Sequence, residues 1–437
     1  PVTQVAEVRI WGRLLGAVAL GDGQQVASFE YSPEFIASGL ELSPLTMRLS
    51  NTVYRFPELS RETFHGLPGL LADSLPDRFG NALIDAWLAL QGRSPASFGP
   101  IERLCYIGSR GMGALEFRPV LGPRARKSEK VHLEALVELA SEVLKHRHDL
   151  QASFAPGSVH EGLAEILRVG TSAGGARPKA LIAWNPDTNE VRSGQVQAPE
   201  GFSYWLLKFD GVEEAGDRGL KDPKGYTRAE YAYSLMAKAA GIEMTECRLL
   251  EEGPRKHFMT KRFDRTADGG KIHMQTLGAL AHLDYNQPRA NSYEQAFQVL
   301  RELGFAAASR EALYRRCVFN LIARNQDDHV KNIAFLMDRQ GRWSLSPAYD
   351  LSYANVPGNR WMSAHQMSVN GKFDDFTEKD LMALADTASL AASTATSIIK
   401  DVGQAVARWD EFAREAGAPE AYARQIKADR RLHLAGL

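Results

Sequence analysis

Cysteine is scarce in this 437-residue chain: Cys105, Cys247 and Cys317 stand far apart and are odd in number. That argues against a disulfide framework, offers no ligand spacing for a structural zinc site, and fits a reducing cytoplasm. Charge of one sign is also missing. Lysine plus arginine total 52 against 53 aspartate plus glutamate, so no global field draws the chain onto nucleic acid or an anionic membrane, and such binding must come from a local patch. No apolar run approaches the roughly 20 residues a spanning helix needs, and no signal-peptide pattern stands near the N-terminus. Internal repeats and low-complexity tracts are absent too. The expectation is a soluble, cytoplasmic protein with no membrane association. What is present is ordinary globular material, 44% hydrophobic and 24% charged, in a length that suffices for two or three domains with their own cores.

The first ~120 residues are strand-rich by their period-2 alternation, as in VAEVRIWGRLLGAVAL and QVASFEYSPEFIAS. GLPGLLADSLPDRFGNALIDAWLAL then switches to helical spacing, with Asp73 and Pro76 near helix boundaries, before GSRGMGALEFRP returns to a glycine turn and a strand. Residues 1–120 are therefore expected to form an α+β subdomain, followed by a linker and connecting helix at 121–150 that opens on LGPRARKSEK. From 151 to 265 a second α+β segment is expected, and from 266 to 437 a mainly helical one. In the second segment the turn TSAGGARPK leads into the strand ALIAW, and SYWLLKFD is a strand carrying one lysine, Lys208. TRAEYAYSLMAKAAGIEM follows as a helix, with Thr227 as N-cap, Glu230 in the first turn and Gly241 near its end.

Chemistry concentrates in RNQDDHVKN, residues 324–332, directly after the apolar run CVFNLIA. Asp327 and Asn332 have the spacing of the kinase catalytic-loop pattern D-x-x-x-x-N, in which the aspartate takes a hydroxyl proton and the asparagine holds magnesium. IAFLMD, the turn RQGR and WSLSPAYD then predict a hairpin that delivers Asp350 at the end of its second strand. Asp327, Asn332 and Asp350 could converge on one magnesium ion, which keeps several waters and takes only one or two protein carboxylates. Upstream, TSAGGARPK can offer backbone N–H groups to phosphate, with Arg177 and Lys179 as charge. Lys208 in YWLLKF must snorkel, face solvent or meet an anion. Glu230 is either its partner or a residue favoured by the helix dipole. His329 reads as a loop-shaping hydrogen-bonder, and Lys331 as charge for the transferring phosphoryl group. Asp328 reads as a solvated neighbour of Asp327.

Together VGTSAGGARPKALI, YWLLKFD, AEYAYSLMAKAAGI, KRFDR, NQDDHVKN, SPAYDLSYA and MSVNGKFDDFT resemble, in order, a HipA-type kinase, the toxin of bacterial HipBA toxin–antitoxin pairs. LADSLPDRFGN and IGSRGMGALEF extend the resemblance into the N-terminal subdomain. It implies an α+β, bilobal, protein-kinase-like fold of the lipid-kinase-like kind, with an extra N-terminal subdomain. It also implies a serine/threonine kinase dependent on ATP and Mg2+. Carried over by motif, Asp327 is the catalytic base, Asn332 and Asp350 are magnesium ligands, and Lys208 contacts phosphate. The backbone of Lys261 and Phe263, around Arg262, would hold adenine. The loop of Ala173, Gly174, Gly175, Ala176, Arg177 and Lys179 would cover the phosphates, and His329, Lys331 and Tyr349 would line the nucleotide. Family members autophosphorylate a serine in the glycine-rich loop. Here Thr171 and Ser172 are the hydroxyls at that place, and the loop AGGARPK is one residue longer than the pattern A-G-A-Q-E-K. The implied partners are a helix-turn-helix antitoxin of HipB type, operator DNA reached mainly through it, and a translation-related substrate such as an aminoacyl-tRNA synthetase. The rival expectation is a regulatory protein that keeps the fold but has lost turnover.

Overall fold

The computed structural model describes residues 4–122, 128–145, 170, 177–212 and 223–437. They divide into two compact units, the first within Pro1–Asp222, Leu250–Gln275 and Leu336–Arg342, the second within Pro223–Leu249, Thr276–Phe335 and Trp343–Leu437.

The first unit starts with the hairpin of β1 (Val5–Ile10) and β2 (Arg13–Ala19). Trp11 and Gly12 turn it with φ of 48° and 81°, the positive pair that a two-residue hairpin of matching twist requires. β3 (Ser28–Tyr31) pairs with β2, and β4 (Leu115–Arg118) with β1, all antiparallel, in the order β3-β2-β1-β4. The alternation expected through SPEFIAS is overridden. Ser32 caps Pro33–Ser38 as a helix by accepting the N–H of Phe35, and Pro33 at the start brings a preset φ.

A five-stranded sheet follows in the order β6-β5-β7-β9-β8, built from β5 (Lys179–Asn185), β6 (Glu190–Ser193), β7 (Ser203–Lys208), β8 (Cys247–Glu252) and β9 (Arg255–Lys261). β5 is buried from Lys179 through Trp184, and that burial is shared with helices from earlier in the chain. Leu83 and Leu88 of helix Arg78–Leu90, Leu136 and Ala140 of helix Leu133–Lys145, and Trp205, Leu207 and Met259 of the sheet lie in one apolar core.

The second unit is mainly helical. Helix Ala307–Ile322 runs through its middle; from Leu313 onward every residue but Arg315 is buried, and the helix packs on Ala392–Ala407. Helix Tyr293–Glu302 is closed by a capping box between Ser292 and Gln295, and helix Glu378–Thr387 by one between Thr377 and Asp380. Helix Tyr226–Ala239 begins earlier than TRAEYAYS suggests. Gly225 is its N-cap, so Thr227 is a buried residue of the first turn rather than the cap, and Glu230, also buried, lies past the first turn, where the dipole argument no longer reaches it. Gly241 ends that helix with a φ of 75°, as its placement after the last periodic residue suggests. The three cysteines are free and buried. Among the described residues no helix is long and apolar enough to cross a membrane.

Candidate functional site

In the second unit, the last turn of helix Ala307–Ile322 gives way to Arg324, whose φ of 60° turns the chain sharply into RNQDDHVKN. Three sets of backbone bonds hold this loop. At its start Asn325 and Ala354 form a parallel bridge, with Gln326 N–H to Ala354 C=O at 3.0 Å and Ala354 N–H to Arg324 C=O at 3.1 Å. Along its far side Gly278 N–H reaches Val330 C=O at 3.2 Å and Leu277 N–H reaches Ile333 C=O at 2.8 Å. Within it, Asn332 N–H closes on His329 C=O at 2.8 Å.

The side chain of Asn332 closes the loop a second time, its Nδ2 donating to Asp327 C=O at 2.8 Å. Because a primary amide has its oxygen opposite its nitrogen, Oδ1 of Asn332 is turned away from that bond as an acceptor. Asp350 comes from the neighbouring segment. The strand expected to deliver it stops at Leu345, and Ser346 to Asp350 form a loop in which Asp350 has a φ of 55°. Polar aspartate tolerates this region at a modest cost. Tyr349 ties that segment to the first by donating its hydroxyl to Lys331 C=O at 2.5 Å. Ala348 N–H bonds Glu243 C=O at 2.8 Å, and Arg316 donates to Ser346 C=O. Asp327, Asn332 and Asp350 thus sit on two segments laced together by these bonds. A carboxylate and an amide oxygen on such segments are hard oxygen donors of the kind magnesium takes. Among the described residues no group of three or more His, Cys, Asp or Glu could hold a metal, so any metal here would rest on a small protein set completed by waters.

His329 Nε2 lies 3.9 Å from Asp327 Oδ1, within ion-pair distance when the ring is protonated. The loop-shaping bond expected of this histidine is made by its backbone; ring Nδ1 is buried with no hydrogen-bond partner among the described residues. Tyr285, which carries no signal in the sequence pattern, has its ring 6.0 Å from that of His329 and 4.6 Å beneath the Lys331 ammonium. Asp328 overturns its expectation. It is not solvated but buried, with its side chain 1% exposed, and it accepts from Tyr293 Oη at 2.9 Å, His365 Nδ1 at 2.8 Å and Gln366 N–H at 2.8 Å. Arg316 was missed as well. It is buried beside Tyr349 and Glu243, desolvation pushes its guanidinium down to about 10, and Nε and Nη1 find no partner among the described residues. Its only sequence signal was a charge inside the apolar run of a helix.

The other candidate residues lie in the first unit. Lys208 ends β7 and stands opposite Lys179 of β5 on one side and Phe258 of β9 on the other. It is buried, with its ammonium 6.0 Å above the Phe258 ring, so the solvent-facing option is excluded. Lys179 is likewise buried and pairs with Asp77 at 3.1 Å. That aspartate also caps helix Arg78–Leu90 through the N–H of Gly80. In KRFDR, Arg262 N–H bonds Tyr204 C=O at 2.8 Å. By strand alternation, the N–H and C=O of Lys261, the last residue of β9, therefore point away from β7, while Phe263 lies past the end of the strand. The Arg262 guanidinium grips Asp264 at 2.9 and 2.8 Å, while Arg265 and the N–H of Gly113 reach the same carboxylate at 2.7 Å each. Arg262 and Asp264 are thus a buried brace to GSRGMGALEF. Burial alone would raise the Asp264 carboxyl; the two guanidiniums and the Gly113 N–H outweigh it and hold the group well below the usual range. Arg177 is half-buried, and Thr171, Ser172, Ala173, Gly174, Gly175 and Ala176 lie outside the described residues.

Comparison with known proteins finds two family models, one after the other along the sequence. The family model for the HipA N-terminal domain matches residues 6–118, and that for the HipA-like C-terminal domain matches residues 171–409. The Sinorhizobium fredii protein named "Putative kinase Y4mE" is 25% identical over 202 residues, 44% of this chain and 41% of the relative. A Haemophilus influenzae protein named "Putative kinase" is 28% identical over 159 residues, 32% of this chain and 46% of the relative. These matches span less than half the length of either relative. Among solved structures, the Shewanella oneidensis toxin–antitoxin complex of HipA, HipB and operator DNA contains a chain that superposes with a TM-score of 0.66 at 18% identity. The superposition covers 98% of this chain and 96% of that one. At that identity it shows the fold, and the α+β class expected from the order of elements is the one found.

Proposed function

Because this chain belongs to the HipA family, we propose that it is a protein serine/threonine kinase that uses ATP and Mg2+. The observation that carries this reading is the closure of RNQDDHVKN by Asn332 onto the backbone of Asp327. It holds the proposed base and the proposed metal ligand in one rigid loop, while Tyr349 ties in the segment bearing Asp350. Asp327 accepts the proton of a serine or threonine hydroxyl. The oxygen forms its bond to the γ-phosphorus as the bond to the β–γ bridging oxygen breaks, and ADP leaves with that electron pair. Lys331 supplies positive charge near the transferring group, where a loose transition state is stabilised chiefly by position and electrostatics. Magnesium, when bound, neutralises phosphate oxygens, and Oδ1 of Asn332 and the carboxylate of Asp350 are the groups that would hold it.

Lys208 is the proposed phosphate contact, and the backbone groups of Lys261 and Phe263 are the proposed adenine contacts. For Lys179 the pairing with Asp77 favours a role in holding the strand over one on phosphate. The protein is further proposed to be the toxin of a toxin–antitoxin pair. Its partner would be a HipB-type helix-turn-helix antitoxin, through which operator DNA is bound, and its substrate a translation-related protein such as an aminoacyl-tRNA synthetase. Autophosphorylation would fall on Ser172 or Thr171. Phosphoproteomics after expression of the wild type and of Asp327→Ala tests the substrate assignment. A serine or threonine on a translation protein modified only by the wild type is expected, and identical phosphoproteomes would refute it.

A further inference from the structure

We propose that Asp328 is a positioning residue for Asp327, the receiving end of a one-directional hydrogen-bond relay that fixes the base's backbone from the C-terminal segment of the chain. The proposal rests on the phosphotransferase reading and deepens it. The direction of the relay follows from the chemistry of its members. Arginine can only donate, so where Arg431 Nη1 meets His365 Nε2 at 2.8 Å the imidazole nitrogen accepts. The ring proton then sits on Nδ1, which donates to Asp328 Oδ2 at 2.8 Å. From the other side Tyr293 gives its single proton to the same oxygen at 2.9 Å and accepts from Asn320 Nδ2 at 3.0 Å. The Oδ1 of Asn320 accepts in turn from Asn325 Nδ2 at 3.0 Å, two residues before the base. Oδ1 of Asp328 takes the N–H of Gln366.

The far end is anchored too. Arg431 donates to Asp374 and to Leu321 C=O, and it lies 5.5 Å over the Phe376 ring, which meets the His365 ring edge-on at 5.4 Å. Helix Tyr293–Glu302, helix Ala307–Ile322, the 365–366 segment and the C-terminal turn therefore converge on the residue next to Asp327. If the network served stability alone, apolar side chains of similar volume would do as well or better, since a carboxylate must first be stripped of water before its bonds offset that loss. A carboxylate with three donors of fixed direction instead specifies one orientation of the peptide it shares with Asp327.

Asp328→Asn tests this with almost no change in volume. An amide oxygen can serve Gln366 or His365 but not both, and the NH2 then confronts the other donor, either the Gln366 N–H or the His365 Nδ1–H that Arg431 holds in place. With γ-labelled ATP, magnesium and casein as acceptor, turnover is expected to fall by about 10- to 100-fold, in keeping with a small misplacement of a catalytic group. KM for ATP and affinity for a non-hydrolysable ATP analogue should stay within about twofold. The Asp327→Asn/Asp328→Asn double variant should be no slower than Asp327→Asn alone, because the second residue acts through the first. Parallel losses of turnover and nucleotide affinity, or additive losses in the double variant, would overturn the proposal. Should Asp328→Asn fail to fold, Tyr293→Phe removes one donor from the same oxygen and is expected to lower turnover several-fold with the same unchanged KM. A wild type without turnover would count against the kinase reading only. Amide hydrogen exchange then decides the relay: exchange in residues 325–333 should rise about tenfold or more in the Asp328 variant while the rest of the second unit is unchanged, and unchanged exchange in the loop would refute it.

Discussion

At the scale of single residues, the two candidate carboxylates are separable. Asp327→Asn should lower turnover by ~10²–10⁴, the usual worth of a catalytic base, and leave magnesium-dependent binding of an ATP analogue near the wild-type level by calorimetry. Asp350→Asn should weaken that binding; equal losses would contradict the division of roles. A second residue-level prediction concerns pH. Burial pushes His273 down to about 3, so between roughly pH 6.5 and 3 the unfolded chain takes up a proton that the folded chain refuses. Stability therefore falls as pH falls through that window. Melting temperatures measured from pH 7.5 to 5 should decline for the wild type, with a shallower slope for His273→Gln. Asp328 teaches the limit of reading residues singly. Beside another aspartate it looked like solvated charge, because its donors Tyr293, His365 and Gln366 are 35 or more positions away in sequence.

At the scale of elements, the pattern of RNQDDHVKN was legible because spacing within a loop survives folding, whereas the delivery of Asp350 was not. The alternation in WSLSPAYD suggested a strand to its end. Tertiary bonds from Glu243 and Arg316 instead hold residues 346–350 as a loop. Arg316 yields a prediction of mixed sign. A buried guanidinium with two donors unpartnered among the described residues is costly, so Arg316→Met should leave the melting temperature unchanged or higher. The same change frees Ser346 C=O and should raise the magnesium concentration needed for half-maximal nucleotide binding several-fold. In the first unit, Asp77 serves helix Arg78–Leu90 as a cap and β5 as the partner of Lys179. Asp77→Ala should cost more than the ~1 kcal/mol of a lost cap. Asp77→Asn keeps the cap and loses the charge, and urea titration of both variants would give the pair's share.

At the scale of the whole molecule, the order of elements carried the fold class, and it did so without any one motif being decisive. A glycine turn, a lysine strand or a D-x-x-x-x-N loop alone is common, while their succession matches the family from residue 171 to 409. Packing between distant stretches was not legible. Helix Arg78–Leu90 and the five-stranded sheet share one apolar core although the sequence between them reads as a boundary, since apolar periodicity names a buried face but not what covers it. The central claim is phosphoryl transfer, and its most direct test is incubation of the purified protein with γ-labelled ATP and magnesium, with and without lysate. Label should enter serine or threonine of the chain or of a lysate protein, and Asp327→Ala should abolish it. No label in any protein, or label unchanged in Asp327→Ala, would contradict the account.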